Sequence, residues 1–137
     1  MTIDPDLVRG AAELERTAVG LRPHRLPAWA RARGDAQLQL VQAQPAGVRL
    51  AFTTTAPRVV LTALATRYGL TGVPPRAIGV FDAVVDGTLV ASASLPDAVM
   101  VTMDLTTGRS TTTPADPGEI RVELGADDGR VRRVELW

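Results

Sequence analysis

Val80-Phe81-Asp82-Ala83-Val84-Val85-Asp86-Gly87-Thr88-Leu89-Val90-Ala91-Ser92-Ala93-Ser94-Leu95 is two apolar runs joined by Asp-Gly. That pair predicts a two-residue type I′ hairpin, because the turn needs positive φ at both central positions and these residues tolerate it. The same period of two recurs on both sides. Upstream, Val48, Leu50 and Phe52 alternate with Arg49, Ala51 and Thr53 after a Pro45-Ala46-Gly47 turn, and Arg58 to Tyr68 reads as one central strand. Downstream, Val99, Val101, Met103 and Leu105 share one face, and Ile120, Val122 and Leu124 another. Thr106-Thr107-Gly108 is a turn leading into a polar stretch, Arg109 to Thr113. Pro114 to Gly118 is a loop, and Asp127-Asp128-Gly129 turns into a last strand. Ala12 to Thr17 reads as an edge strand broken by Gly20. Only Pro27 to Arg33 reads as helical, with Gly34 ending it. Many short strands with one or two helical turns predict an all-β fold, a two-sheet, jelly-roll-like β-sandwich forming a single domain over residues 1–137; a closed barrel is the rival with the same strand pattern.

The last residues, Val131 to Trp137, alternate until the sequence stops. In an extended strand Val134 and Leu136 share the buried face, and Trp137 emerges on the face of Arg133 and Glu135. That exposed indole leads to the expectation that these residues are the front part of a longer polypeptide.

Composition narrows the function. Fifteen basic and fifteen acidic residues give a formal charge of zero, with no block of either sign, so nucleic acid is not an expected partner. Every basic residue is arginine, which points to a GC-rich genome more than to a mechanism. With no cysteine there is neither a disulfide framework nor a thiolate metal site. No apolar stretch near Met1 suits a secretory signal or a membrane span, so a cytoplasmic protein without membrane contact is expected.

Catalytic signatures are missing as well. His24 is the one histidine and reads as a loop residue hydrogen-bonded to backbone. Ser92, Ser94 and Ser110 lack the Gly-x-Ser-x-Gly elbow of a nucleophile, and one histidine leaves zinc short of ligands. Asp82 and Asp104 would serve as an acid–base pair only if the fold joined them. Gly69-Leu70-Thr71-Gly72 lacks the lysine and helix of a phosphate loop, so no cofactor is expected. Recognition chemistry remains. Trp29, Tyr68 and Trp137 are three of five aromatics and read as lying at element ends or in loops, where their faces are open to a ligand. Arg67 to Arg76 reads as a ten-residue interruption between two strands, long enough to be a functional loop. Trp29, Arg31, Tyr68, Arg76 and Trp137 are therefore the candidate contact residues for a ligand or neighbouring domain, with no catalytic or metal-binding residue assigned.

Four segments carry a resemblance: Pro23 to Arg31, Gln44 to Phe52, Gly72 to Arg76 ahead of the Val84-Val85-Asp86-Gly87 hairpin, and Val134 to Trp137. Together, over nearly the whole chain, they resemble the N-terminal β-sandwich domain of actinobacterial SGNH/GDSL-type hydrolases. The resemblance implies a sandwich similar in build to carbohydrate-binding modules, followed by a flavodoxin-like catalytic domain that hydrolyses or transfers acyl groups. The family's Gly-Asp-Ser block, oxyanion-hole asparagine and late Asp-x-x-His pair have no counterpart here. Gly34-Asp35 is followed by Ala36, asparagine is absent, and His24 precedes every serine. The resemblance thus implies a non-catalytic accessory domain whose partner is the C-terminal SGNH domain of the same polypeptide, with a small-molecule or glycan substrate shared between them. The alternative is an independent carbohydrate- or small-ligand-binding module.

Overall fold

The computed structural model describes residues 3–44 and 46–137. Among the described residues twelve strands alternate with little helix. A 3-10 turn (Pro5–Leu7) leads into β1 (Val8–Arg9), β2 (Glu13–Thr17) and β3 (Gly20–His24), followed by α1 (Ala28–Arg31) and α2 (Ala36–Gln42). Then come β4 (Arg49–Thr54), β5 (Arg58–Ala63), β6 (Ala65–Leu70), β7 (Val80–Val85), β8 (Thr88–Ser94), β9 (Ala98–Met103), β10 (Ser110–Thr113), β11 (Gly118–Glu123) and β12 (Arg132–Leu136). The fold is the expected all-β sandwich.

One layer is a five-stranded antiparallel sheet in the order β1-β4-β12-β7-β8. Its inner face meets the β5–β11 ladder, and Leu61, Ile120 and Val122 join Ala83, Val85, Val134 and Leu136 in one core. Only Leu64 separates β5 from β6, so the second layer continues into the ladder β10-β9-β6. There β6 runs parallel to β9, which the sequence does not announce. A parallel pair needs a long crossover, and the β7–β8 hairpin of the opposite layer supplies it.

The Asp-Gly turn is as predicted, with φ of 50° at Asp86 and 85° at Gly87. Parity at the C-terminus also holds: Val134 is fully buried and Leu136 nearly so, while Trp137 keeps 44% of its surface. Four local expectations need correction. Gly20 opens β3 rather than ending the strand region, because its φ of 142° lets the chain turn back and pair Glu13 with His24. Arg58 to Tyr68 is two strands, and β6 extends to Leu70, so the long connection begins at Thr71 and Tyr68 is a strand residue. The polar stretch before Pro114 is an edge strand, β10, since Ser110 to Thr113 pair with Met103 to Met100. Finally, α2 was not anticipated, although Asp35 is a sound N-cap whose side chain accepts from Leu38 N at 2.8 Å. Of the turn expected before β4, Pro45 lies outside the described residues, and Gly47 has the positive φ that a turn requires. Likewise Met1 and Thr2 lie outside them.

Leu136→Asp places an unpaired carboxylate in the core and is expected to abolish cooperative unfolding. Trp137→Ala removes a half-exposed ring and should cost the isolated chain about 1 kcal/mol. Urea midpoints of the two variants check this, and equal losses would contradict the strand parity.

Candidate functional site

Trp137 is held by its backbone. Its N–H donates to Asp82 O at 2.9 Å, and its carbonyl accepts from Asp82 N at 3.1 Å, so the sheet ladder reaches the final residue. The indole is therefore fixed on the outer face of the five-stranded sheet. The Arg49 guanidinium carbon lies 4.7 Å from the ring centroid, a cation–π distance. Arg49 Nε is also 3.7 Å from Glu135, whose carboxylate accepts from Arg133 at 3.1 Å. Arg49 Nε is buried and donates no hydrogen bond among the described residues. Val80 and Leu89 lie exposed on the adjoining strands of the same sheet. Indole, guanidinium, carboxylate and aliphatic surface side by side are the chemistry of a protein-recognition face.

A second surface lies on the helices. Trp29, in α1, is 66% exposed and has Arg33 stacked over it, 5.7 Å from the ring centroid. Arg33, Gly34, Asp35, Leu38 and Val41 line an open, shallow depression nearby. Arg31, the other α1 candidate, faces inward: it pairs with Glu13 at 3.2 Å and donates to Leu26 O at 2.9 Å, which makes it a brace. Tyr68 is half-buried in β6, and Arg76 is exposed in the connection after it. Among the described residues no hydrogen bond, ion pair or cation–π contact joins Tyr68 or Arg76 to α1 or to Trp137. The five candidates thus divide into two arginine-covered indoles, one brace and two separate positions.

His24 is the residue that sequence reasoning misplaced. It lies in β3 and is 6% exposed, and its ring is bonded to side chains where a bond to backbone was expected. Its Nε2 is 2.8 Å from Glu15 Oε2 and its Nδ1 is 3.2 Å from Gln42 Oε1. Both ring nitrogens are therefore engaged, and neither is free to take a proton from a serine. Ser92 instead donates to Asp82 across the β7–β8 ladder. Asp104 caps a turn by accepting from Thr106 N at 2.7 Å and Thr107 N at 3.2 Å; these backbone bonds hold its carboxyl below the usual range. Asp82 lies on β7 with Ser92 as its partner, whereas Asp104 is committed to the turn after β9, and among the described residues no hydrogen bond joins the two. Among the described residues no group of three or more histidine or acidic side chains gathers around a metal position. The signal for His24 was local: Glu13, Glu15, Arg22 and His24 alternate along two short strands, as cross-strand partners do.

Arg132 was also missed. It shares the parity of Val134 and Leu136 and is nearly buried, with Nη2 bonded at 2.7 Å to both Ala126 O and Asp128. Asp128 also accepts from Arg130 N, which with Arg132 holds its carboxyl low. The Asp-Asp-Gly segment is thus a turn with an internal arginine.

No family model matches this chain, and no curated protein does. Among solved structures it is similar to the salicylyl-acyltransferase SsfX3 from a tetracycline biosynthetic pathway, with a TM-score of 0.70 and 24% identity. The likeness covers 95% of this chain and 32% of that one. The shared feature is the fold, and this chain spans about a third of the length of that acyltransferase. Among the described residues no helix is long and apolar enough to cross a membrane.

Acid should weaken the His24 cluster. The His24 hydrogen bond lowers the Glu15 carboxyl from its ordinary 4.5, and the Ala28 N–H does the same for Glu13. A depressed carboxyl stabilises the fold above its unfolded pKa, and that stability is lost as pH falls through the folded value. A melting-temperature series from pH 7 to pH 2 should decline below about pH 4.5. Glu15→Gln should decline less steeply over that range, and an unchanged slope would remove Glu15 from the account.

Proposed function

We propose that this chain is the non-catalytic β-sandwich domain of a cytoplasmic SGNH/GDSL-type esterase or acyltransferase, packing on the catalytic domain and contributing to substrate binding. The observation that carries the reading is the likeness to an acyltransferase, which takes in almost all of this chain and about a third of that protein. The engaged ring nitrogens of His24 support a domain that does no acyl transfer by itself. The fixed indole of Trp137, with Arg49 against it, supports a preorganised surface on which a neighbouring domain packs.

A second reading, an independent carbohydrate- or small-ligand-binding module, is favoured by the open face of Trp29, since sugar rings stack on exposed indoles. Calorimetric titration with a panel of glycosides separates the two. Heat that disappears in Trp29→Ala would favour the module.

The isolated chain should hydrolyse p-nitrophenyl acetate and a longer acyl ester only at the background rate. Turnover abolished by His24→Ala would refute a non-catalytic role. Further along the coding sequence a Gly-Asp-Ser block is expected. A separately produced catalytic domain should bind the chain, and Trp137→Ala should weaken that binding by roughly tenfold or more.

A further inference from the structure

Residues 11–44 leave the sandwich between β1 and β4 and return to it. Their base is closed by the β1–β4 ladder, with Val8 opposite Leu50 and Arg9 opposite Arg49. Gly10 and Gly47 then meet: both have positive φ, and a Cβ on Gly10 would stand 2.3 Å from Gly47 O. Only glycine permits that approach, so the two ends of the excursion are pinned backbone to backbone.

Beyond the base, the segment keeps to itself. Among the described side chains, none from 11 to 44 belongs to the sandwich core or to the half-buried apolar layer around it. Among the described residues, every hydrogen bond and ion pair made by residues 11–43 ends within the segment, and Gln44 adds only a carbonyl that accepts from Ala46 N. Its described buried side chains are polar, His24 and Gln42. His24 joins all the parts: its carbonyl accepts from Ala12 N at 2.8 Å, and its ring lies between Glu15 on β2 and Gln42 on α2. Around it Arg22 on β3 pairs with Glu15 at 3.6 Å, while Glu13 on β2 holds Ala28 N and Arg31 of α1. Gln39 on α2 donates to Arg31 O.

We propose that residues 11–44 form a flap that unfolds locally as a unit beyond the Gly10–Gly47 base, its parts held to one another by His24 between Glu15 and Gln42. Opening breaks bonds inside the flap and leaves the apolar core closed, so it is a subglobal event with its own, smaller free energy. The flap carries Trp29, so its local unfolding releases one of the two arginine-covered indoles while the sheet that bears the other stays folded. This inference does not rest on the function proposed above and applies whether the chain acts alone or beside a catalytic domain.

Hydrogen exchange of the whole chain at neutral pH, read by mass spectrometry, tests it. In His24→Ala the segment 11–44 should exchange faster by a common factor of roughly ten to a hundred, because Glu15 and Gln42 lose their partner. Peptides covering β5, β11 and β12 should exchange as in the parent chain. Glu15→Gln, which keeps a hydrogen-bonding group and removes the charge, should give a smaller increase confined to the same segment. A uniform rise over the whole chain, loss of the entire fold in His24→Ala, or no increase within 11–44 in either variant would overturn the flap.

Discussion

Val134 has no exposed surface, and its strand is paired on both sides. Everything else in the sandwich is arranged around that position. In the ladders Phe52 of β4 and Val85 of β7 stand opposite Val134, so three strands deliver an apolar side chain to one row of the core. Leu61, Ile120 and Val122 of the other layer close it. Because side chains alternate, fixing Val134 and Leu136 inward also fixes Arg133, Glu135 and Trp137 outward and leaves Arg132 on the buried side. The burial of Arg132 follows from that register. Its guanidinium is satisfied by folding the Ala126–Arg130 turn over it, with three acceptors and one carboxylate charge.

Two kinds of cohesion coexist in this short chain. The sandwich is held by apolar burial that is shared among distant strands, so it is lost or kept as a whole. The segment between β1 and β4 is held by directional polar bonds around one histidine. Such bonds contribute less net free energy each than buried aliphatic groups, and they leave a large penalty when one partner is removed. The difference lies in the sequence itself: residues 13–24 alternate charges with isolated leucines, whereas residues 80–95 are two mainly apolar runs on either side of Asp86-Gly87.

Much of the sandwich was legible for a simple reason. Strand period and Asp-Gly turn chemistry are local, and β4, β7, β8, β11 and β12 follow them closely. Pairing is not local, so the parallel β6–β9 contact and the break at Leu64 could not be read. The polar edge strand β10 carries no apolar alternation because it buries nothing, and period alone passes over it. Of the candidate site, Trp29 and Trp137 are indeed surface indoles, while Arg31 turns inward because Glu13 stands across from it. Tyr68 was misread with the loop boundary, since Arg67 and Gly69 beside it resemble a turn in composition while Val101 of β9 faces it in the ladder. His24 was misread because Pro23 and two arginines suggest a loop, although proline is tolerated in an edge hairpin such as β2–β3.

The two exposed indoles share one further device. Arg33 covers Trp29 and Arg49 covers Trp137. A bare indole on a small domain is an aggregation hazard, and a guanidinium over its face moderates that without burying the ring. Arginine suits this role because its planar group stacks and still presents donors at its rim. The Arg49 side chain makes no hydrogen bond among the described residues, its Nε is buried, and its nearest counter-charge, Glu135, is shared with Arg133. A surface of this kind is stable in water and gains bonds when an acceptor-bearing partner approaches. The all-arginine composition, read at first as a mark of genome bias, therefore has a structural use at both indoles.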